Sequence, residues 1–452
     1  ALEISDRIRR HRFYSRLPLG GRLLALRWVL EAPEDGISPV ALLQRQDLLN
    51  RYPNYRQVSE RADMIQQQIR QLPDMDADAE QTIQRKEMYR QLATLSNAQE
   101  IIMQEIALQG DAAQFCFPRI RDVKQLQQAI PAGQMVLVFF QTTRATLVFA
   151  LTKQKYEYWQ LASTGKLQLE MKNLLRAIGN YDKNTDVKVA DLKSNGWREH
   201  SSKITGMLFA GAPPTLLDNV QQLIIVPDGP LWYLPFETLI YDDELLIERT
   251  SIRYAPYLSL ALGDGRHQRA LPRTAFLAGA MVPGADELIA EQGSEQFQAA
   301  VKDSVRLVGE LPGPSSIVAG DYERLFVMAD LDDASRLPFN LPVVPLDRGK
   351  PGSNLASWLS LPWGRCQQIS LPAFHTPAEN SLKRGGTGEE VFLTINGLMA
   401  SGARTVVLSR WRNGGKTTYD LMREFAMRLP DMAPEIAWRE GNIEAAAEAF
   451  RL

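Results

Sequence analysis

Apolar positions recur at helical spacing over the first quarter of the chain. In Leu23–Leu30 and again in Ile101–Ile106 they return every three or four residues, which places them on one face of a helix. The stretch Ser59–Leu108 is rich in Gln, Glu, Arg, Met and Ala, all good helix formers, and Pro73-Asp74 favours a turn within it. The pattern predicts an α-helical region over residues 1–115. A plain helical scaffold and a helical-repeat remnant both fit, although no 34-residue self-similarity is evident.

The pattern changes after a Pro-Ala-Gly turn. Met135–Gln141 and Ala145–Leu151 are short, rich in β-branched and aromatic residues, and separated by a polar break. These features predict two strands, paired as an antiparallel hairpin. Lys155–Leu161 alternates between apolar and polar residues and predicts a third strand, and Gln168–Ile178 and Ser202–Phe209 predict helices.

Later in the chain, short apolar runs alternate with helical segments. The predicted strands are Leu223–Val226, Thr274–Ala278, Arg324–Met328, Gln368–Leu371 and Thr405–Leu408, and the predicted helices are Ser294–Leu311, Glu389–Ala400 and Thr417–Arg428. Such alternation predicts an α/β fold whose mainly parallel sheet has helices on both faces. In these sheets ligands bind at the carboxyl ends of the strands, so the loops after those ends are the candidate functional region.

Composition and charge narrow the possible functions. The 452 residues suffice for two or three domains, and 45% apolar with 23% charged residues is ordinary for a globular protein. A formal charge of -2 predicts neither a nucleic-acid nor an anionic-membrane partner, and no apolar run reaches the ~20 residues of a membrane-spanning helix. Four histidines and two cysteines, Cys116 and Cys366, predict no metal site, no disulfide framework and no cofactor. The few cysteines fit a reducing compartment, so we expect a cytoplasmic protein.

The N-terminal residues have no apolar signal-peptide core and open in a helical pattern without an initiator Met. We expect either the C-terminal part of a longer protein or an N-terminally processed or trimmed chain.

Two segments carry a resemblance to a known family. Leu223–Leu262 reads LIIVPDGPLWYLPFETLIYDDELLIERTSIRYAPYLSLAL, and Gly386–Trp411 reads GTGEEVFLTINGLMASGARTVVLSRW. Both resemble the CHAT domain, a caspase-like cysteine peptidase family usually found behind tetratricopeptide repeats. The resemblance covers roughly Met135 to Leu429. It implies two caspase-like halves, a degenerate one at 131–215 and a second at 220–430, followed by a helical tail at 431–452.

The same resemblance identifies the positions of the catalytic dyad. In active CHAT domains a His follows one strand and a Cys follows another. The stretch Phe326–Leu331 places Asp330 at the His position, and Leu371–Pro377 places Phe374 at the Cys position, while Thr376 still matches the family. A caspase-type reaction needs a thiolate and a neighbouring His, so the resemblance implies a pseudo-peptidase. Its role would be to bind a protein or peptide partner, or to regulate one.

Two other functions remain open from the sequence. An active cysteine endopeptidase would need a relocated dyad, for which Cys366 and His375 are the candidates. No histidine lies between His267 and His375, so a small error of register cannot restore the base. In a purely architectural domain Phe374 would fill the cleft, and nothing would bind there.

Each remaining candidate residue has both a functional and a structural interpretation. His375 is either a ligand contact or a loop histidine bonded to backbone. Asp330 begins an acidic cluster with Asp332 and Asp333, which would bind a basic side chain or a hard cation, or simply face solvent. Glu389 would contact substrate or stabilise the first turn of a helix, where a carboxylate is favoured by the helix dipole.

Overall fold

The computed structural model describes most of the chain. The described residues are 2–72, 79–110, 113–180, 195–263, 273–279, 281, 287–309, 311, 314–331, 337–345, 354–361, 366–411 and 415–451. Pro73-Asp74, His267, Asp332 and Asp333 lie outside these ranges, so the predictions that rest on them stay predictions.

The N-terminal region is helical, as predicted. Its helices are α1 (Leu2–Tyr14), α2 (Arg22–Glu31), α3 (Pro39–Arg51), α4 (Pro53–Gln71) and α5 (Ala79–Leu108). Ser38 caps α3 by accepting a hydrogen bond from the backbone N–H of Ala41 at 3.2 Å. The apolar faces of these helices join one core with both β-sheets of the protein, so the region packs onto the rest of the chain.

The first sheet is mixed. The elements of this part are α6 (Val123–Ala129), β1 (Gln134–Gln141), β2 (Thr146–Leu151), β3 (Tyr156–Gln160), α7 (Thr164–Ala177), α8 (Gly196–Phe209), β4 (Gln222–Val226), β5 (Ile240–Tyr241), β6 (Glu244–Leu245), α9 (Leu246–Arg249) and β7 (Ser251–Tyr254). The strand order is β3-β2-β1-β4-β7. β2 pairs antiparallel with both β1 and β3, which confirms the predicted hairpin, whereas β4 pairs parallel with β1 and β7. β5 and β6 form a separate small hairpin.

The second sheet is entirely parallel. Its elements are β8 (Thr274–Ala278), α10 (Glu287–Ala300), β9 (Ser304–Arg306), α11 (Ser315–Ala319), β10 (Arg324–Met328), α12 (Leu355–Leu359), β11 (Gln368–Leu371), α13 (Ala378–Lys383), α14 (Glu389–Ala400), β12 (Thr405–Leu408), α15 (Gly415–Arg428) and α16 (Pro434–Arg451). The order is β12-β11-β10-β8-β9. Four of the five strands have the predicted bounds, because each is a buried apolar run flanked by turn residues.

Successive residues of the second sheet face different cores. Phe326 and Met328 pack in a cluster with Phe425 of α15, whereas Leu325 and Val327 belong to the main core. Side chains of a strand alternate between the two faces of its sheet, so this distribution puts helices on both faces. The predicted α/β architecture, preceded by a helical region, is confirmed.

Two features differ from the sequence-based expectation. The strand at Leu223–Val226 was assigned to the second half, but it pairs with β1, and the change from one sheet to the other comes after β7. The helix predicted at Ser294–Leu311 ends at Ala300. Asp303 takes a left-handed backbone conformation (φ 61°), and Ser304–Arg306 then forms a strand beside β8. The local sequence pattern did not predict this strand, because β8, the strand with which it pairs, lies about 30 residues earlier in the chain.

Short 3₁₀ helices connect several elements: Pro18–Gly21, Glu34–Gly36, Gly229–Tyr233, Phe236–Thr238, Leu258–Leu260 and Pro338–Asn340. Within the described ranges, no helix combines the length and the apolar character needed to cross a membrane.

Candidate functional site

The two positions that the resemblance assigns to the dyad lie just after neighbouring strands. β10 and β11 are parallel, and Phe326 pairs with Ser370. Asp330 lies two residues after the last residue of β10, and Phe374 lies three residues after the last residue of β11. The resemblance therefore assigns to the dyad two positions that the sheet brings to the same edge, at the carboxyl ends of adjacent parallel strands.

Phe374 is a core residue. Its side chain is 1% exposed and belongs to the main hydrophobic core. Its backbone N–H donates to the carbonyl of Leu371 at 3.0 Å, which forms a tight turn directly after β11. Because the ring is inaccessible, a ligand at this edge would not touch Phe374.

Asp330 is half-buried at the end of β10. The neighbouring strand end approaches closely: the backbone N–H of Gly279 donates to the carbonyl of Met328 at 2.7 Å. The hydroxyl of Tyr419, from α15, donates to the carbonyl of Gly279 at 3.0 Å. These bonds fix the backbone at the end of β10, two residues before Asp330.

His375 and Thr376 lie side by side after β11 but have different surroundings. His375 is half-buried, and its Nδ1 lies 3.3 Å from the carbonyl oxygen of Ala373. Thr376 is buried, and its hydroxyl donates to Oε1 of Glu390 at 2.8 Å. Thr376 therefore has a structural partner, while His375 keeps part of its ring at the surface.

Glu390 is a central residue of the site that sequence reasoning missed. Its Oε1 accepts hydrogen bonds from Thr376 and from the hydroxyl of Tyr233 at 2.6 Å. Burial, and then the Glu390 charge, raise the pKa of the Tyr233 phenol above its usual value. One carboxylate thus joins α14, the loop after β11 and the 3₁₀ helix after β4.

Glu389, the glutamate of the motif, lies beside Glu390 in the first turn of α14 but has different surroundings. Consecutive helical residues point about 100° apart, so only one of Glu389 and Glu390 can face inward. Gly388, with φ 67°, sets the start of α14, and a Cβ there would lie 2.6 Å from the Cβ of Trp232. Glu389 instead faces outward and receives two hydrogen bonds from Arg16, at 2.7 and 3.0 Å.

The two cysteines are buried and unpaired. The Sγ of Cys366 donates to the carbonyl of Gln368 at 3.3 Å, and burial raises the thiol pKa, with the charge of Glu323 raising it further. Burial also raises the pKa of Cys116 to about 11. Neither thiol is therefore disposed to form the thiolate that a cysteine nucleophile requires.

The structure does not bring Cys366 and His375 together. Cys366 precedes β11 and His375 follows it, so the two residues lie at opposite ends of the strand. The extended stretch from Cys366 to Leu371 alone spans about 16 Å at ~3.3 Å per residue.

A comparison with protein-family models matches residues 198–326 to the CHAT domain. The protein contains a CHAT domain. The matched segment runs from α8 through β4 and β7 into β10, so it includes the P-D-G turn and the LPFE segment. It ends before Asp330 and Phe374, the two positions that the resemblance assigns to the dyad. No curated protein matches the chain.

Residues that carry the CHAT resemblance form the junction between the two sheets. Arg410, after β12, donates through Nε to the carbonyl of Trp232 at 3.3 Å and lies over the ring of Tyr254 at 5.0 Å. Its Nη1 is 3.8 Å from Oε2 of Glu237, the acidic residue of LPFE. The side-chain amide of Asn180 donates to the carbonyl of Arg410 at 2.8 Å. Arg410 of the segment Gly386–Trp411 thus contacts Trp232 and Glu237 of the segment Leu223–Leu262.

Helix α1 covers the corresponding edge of the first sheet. Arg12 forms an ion pair of 2.9 Å with Asp228 of the P-D-G turn, and Arg9 donates to the carbonyl of Phe139 near the end of β1. Asp6 accepts from the backbone N–H groups of Leu258 and Ser259, at 2.9 and 2.7 Å. Asp6, Arg9 and Arg12 recur at three-residue steps, a spacing that brings charged side chains to the same side of a helix.

No group of three or more His, Cys, Asp and Glu side chains suited to a metal ion occurs among the described residues. The site therefore consists of Asp330 and His375 at the surface, supported by the buried network around Glu390.

Proposed function

We propose that this CHAT domain is a catalytically inactive, caspase-like pseudo-peptidase that binds a protein or peptide partner, or regulates one. One observation carries the proposal: both cysteines of the sequence are buried with raised pKa, and the nucleophile position is the core residue Phe374. Thiol proteolysis needs a thiolate at an accessible strand end, with a His within reach.

The alternative, an endopeptidase using Cys366 and His375, has little physical support. The thiol faces the amino end of β11 and the imidazole lies beyond its carboxyl end. A dyad needs heavy atoms within about 3–4 Å, and bringing the two residues that close would require β11, an inner strand of the sheet, to unfold.

Binding is favoured over a purely architectural role because polar groups remain accessible at the site. Asp330 and His375 are both half-exposed at neighbouring strand ends, whereas Phe374 is buried in the core and blocks neither. A half-exposed carboxylate such as Asp330 suits a partner segment that carries a basic side chain, since charge-assisted hydrogen bonds are the strongest that a surface offers. A cytoplasmic location belongs to this proposal and is supported by the two free cysteines.

The absence of proteolysis is tested with purified protein and a peptide library. We expect no turnover by the wild type and no change in Cys366→Ala. Turnover that disappears in Cys366→Ala would overturn the proposal, because it would make the buried thiol a nucleophile.

Binding is tested with a displayed peptide library selected on the purified protein. Selected peptides should carry Lys or Arg, and Asp330→Ala should weaken them by roughly tenfold, the usual effect of losing one charge-assisted hydrogen bond. Glu295→Ala, which removes an exposed carboxylate of α10 outside the site, is the matched control. If no peptide is enriched, or if both variants bind equally well, the binding role is wrong.

A further inference from the structure

The strand β3 is the outermost strand of the first sheet and, among the described residues, pairs only with β2. Its five residues make it the longest of the four strands that end a sheet. At the opposite side of the first sheet, α16 packs against β7. In the second sheet, β9 carries Arg306, paired with Glu291, and β12 has Arg404 and Arg410 close to its ends. Covered, short or charged outer strands do not readily pair with another chain, and β3 is neither covered by a strand nor short.

The hydrogen-bond register identifies the backbone groups that β3 leaves unpaired. The N–H of Leu161 donates to the carbonyl of Thr146, and the N–H of Thr152 donates to the carbonyl of Lys155, each at 2.9 Å. Because alternate residues of an antiparallel ladder bond to the partner strand, the odd-numbered residues of β3 bond to β2. The even-numbered residues direct their N–H and C=O groups away from the sheet. They are Tyr156, Tyr158 and Gln160.

The side chains of these three residues are exposed and uncharged. Tyr158 is 71% exposed and Tyr156 is 43% exposed. The ring of Tyr156 lies 6.2 Å from that of Phe149, so the three side chains are on the face of the sheet opposite to the buried Trp159. Tyrosine is enriched in protein interfaces, whereas Lys and Glu are depleted. The outer side of β3 therefore combines free backbone groups with side chains that suit a protein interface.

We propose that β3 pairs with β3 of a second copy of this chain, antiparallel and about a two-fold axis at Tyr158. In this register Tyr158 lies opposite itself, and Tyr156 lies opposite Gln160 of the second copy. Each such pair exchanges two backbone hydrogen bonds, so the two strands would share about six. The two five-stranded sheets would become one continuous sheet across the axis.

A second copy fits because β3 is complementary to itself in this register. The axis at Tyr158 pairs all three outward residues, and it places Glu157 opposite Trp159. An axis at Glu157 would leave Gln160 unpaired and would set Glu157 opposite itself, where like charges are destabilising. The tyrosine rings of both copies would lie together on one face, and aromatic pairs across strands are favourable.

The association of the full chain is measured by sedimentation velocity. A five-residue strand buries less area than a standard interface, so we expect a reversible dimer with a dissociation constant of roughly 1–100 μM. Tyr158→Lys sets two ammonium groups opposite each other and should weaken the dimer at least about tenfold. Tyr158→Phe keeps the ring and should dimerise like the wild type. Met64→Lys, at an exposed apolar residue of α4, is the matched control and should also dimerise normally.

Disulfide formation tests the register. Opposite residues of a hydrogen-bonded antiparallel pair have Cα atoms about 5.5 Å apart, which is within the range of a disulfide. Both natural cysteines are buried, so an introduced thiol would be the accessible one. Under mild oxidation, Tyr158→Cys should give a covalent dimer. Gln160→Cys should not, because its two copies would lie roughly 13 Å apart along the strands.

Three results would overturn the proposal: a wild type that stays monomeric up to about 200 μM, a dimer that Tyr158→Lys does not weaken, or equal cross-linking at positions 158 and 160. The first would mean that the outer side of β3 pairs with a different protein or with none. Circular dichroism shows whether each variant is folded. The proposal concerns the first sheet and is independent of the function proposed for Asp330 and His375.

Discussion

The carboxyl edges of the two sheets differ in how far the protein's own helices cover them. In the first sheet, α1 lies over the edge, and its charged residues Asp6, Arg9 and Arg12 are engaged with backbone groups or with Asp228. In the second sheet, the edge keeps Asp330 and His375 half-exposed. An edge already covered by the protein's own helix has little room for a partner, so the proposed binding role applies to the second edge.

The largest effect is expected at the core of the second edge. Phe374→Ala should lower the free energy of unfolding by about 4 kcal/mol, because a buried aromatic ring is replaced by a cavity. Denaturant unfolding followed by circular dichroism measures this. Leu337→Ala removes an exposed side chain of the same half and should change stability by less than about 0.5 kcal/mol. Equal effects would mean that the Phe374 side chain does not contribute to the core at the second edge.

The covering of the first edge is tested by Arg9→Ala. Arg9 is 1% exposed and bonds to Ser5 and to the carbonyl of Phe139, with Asp6 at 3.7 Å. Its removal leaves a buried carboxylate and a buried carbonyl without this partner, and should cost about 3 kcal/mol in unfolding free energy. Arg7→Ala, on the exposed face of the same helix, should have little effect. A small loss in Arg9→Ala would show that α1 is only loosely attached.

The chemical inertness of the thiols is tested by alkylation. A rise in the Cys116 pKa from 9.0 to about 11 lowers the thiolate fraction at pH 8 roughly 100-fold, and burial slows the reaction further. Mass spectrometry should show no iodoacetamide adduct on the native protein and two adducts in guanidinium chloride. Rapid modification of Cys366 in the native state would restore the relocated dyad as a possibility.

The buried support of the second edge is tested by Tyr233→Phe, which removes one donor to Glu390. The expected loss is about 2 kcal/mol, since hydrogen bonds to a buried carboxylate are stronger than neutral ones. Tyr158→Phe, at an exposed tyrosine of β3, is the matched control and should be neutral. If the selected peptides also bind Tyr233→Phe more weakly, the Glu390 network positions the binding surface as well as stabilising it.

The smallest effect is expected where the N-terminal region reaches the second half. The Arg16–Glu389 ion pair lies largely in solvent, so Arg16→Ala should cost about 0.5 kcal/mol, and less at high salt. A double-mutant cycle with Glu389→Gln isolates the pair. A coupling well above 1 kcal/mol would indicate that the N-terminal region holds the second edge as firmly as the first.

Much of the fold could be predicted from the sequence, because buried parallel strands are continuous apolar runs with turn residues at each end. β8, β10, β11 and β12 have their predicted bounds for this reason. β9 was missed, since three residues give no periodicity and its identity as a strand depends on pairing with β8. Leu223–Val226 was recognised as a strand, but the sheet to which it belongs is decided by its pairing with β1. The sequence pattern alone does not identify that partner.

The sequence predicted only those site residues that belong to a recognisable motif. The resemblance identified Asp330 and Phe374, and the strand register puts them at neighbouring strand ends. It gave no indication that Phe374 would be buried, nor that Glu389 would be bound by a residue 373 positions earlier. Contacts of that sequence separation are decided by the packing of whole elements, which no local pattern encodes.

The attachment of α1 also bears on how the chain is made. Asp6 forms its hydrogen bond with Ser259 only after another 253 residues have been synthesised. That takes about 10–50 s at typical rates of translation. A helix of 13 residues is marginally stable alone, and Arg9 and Arg12 reach Phe139 and Asp228 only after another 130 and 216 residues. The charged contacts of α1 therefore form late in synthesis, and cells that make the protein have to keep this helix from aggregating until then.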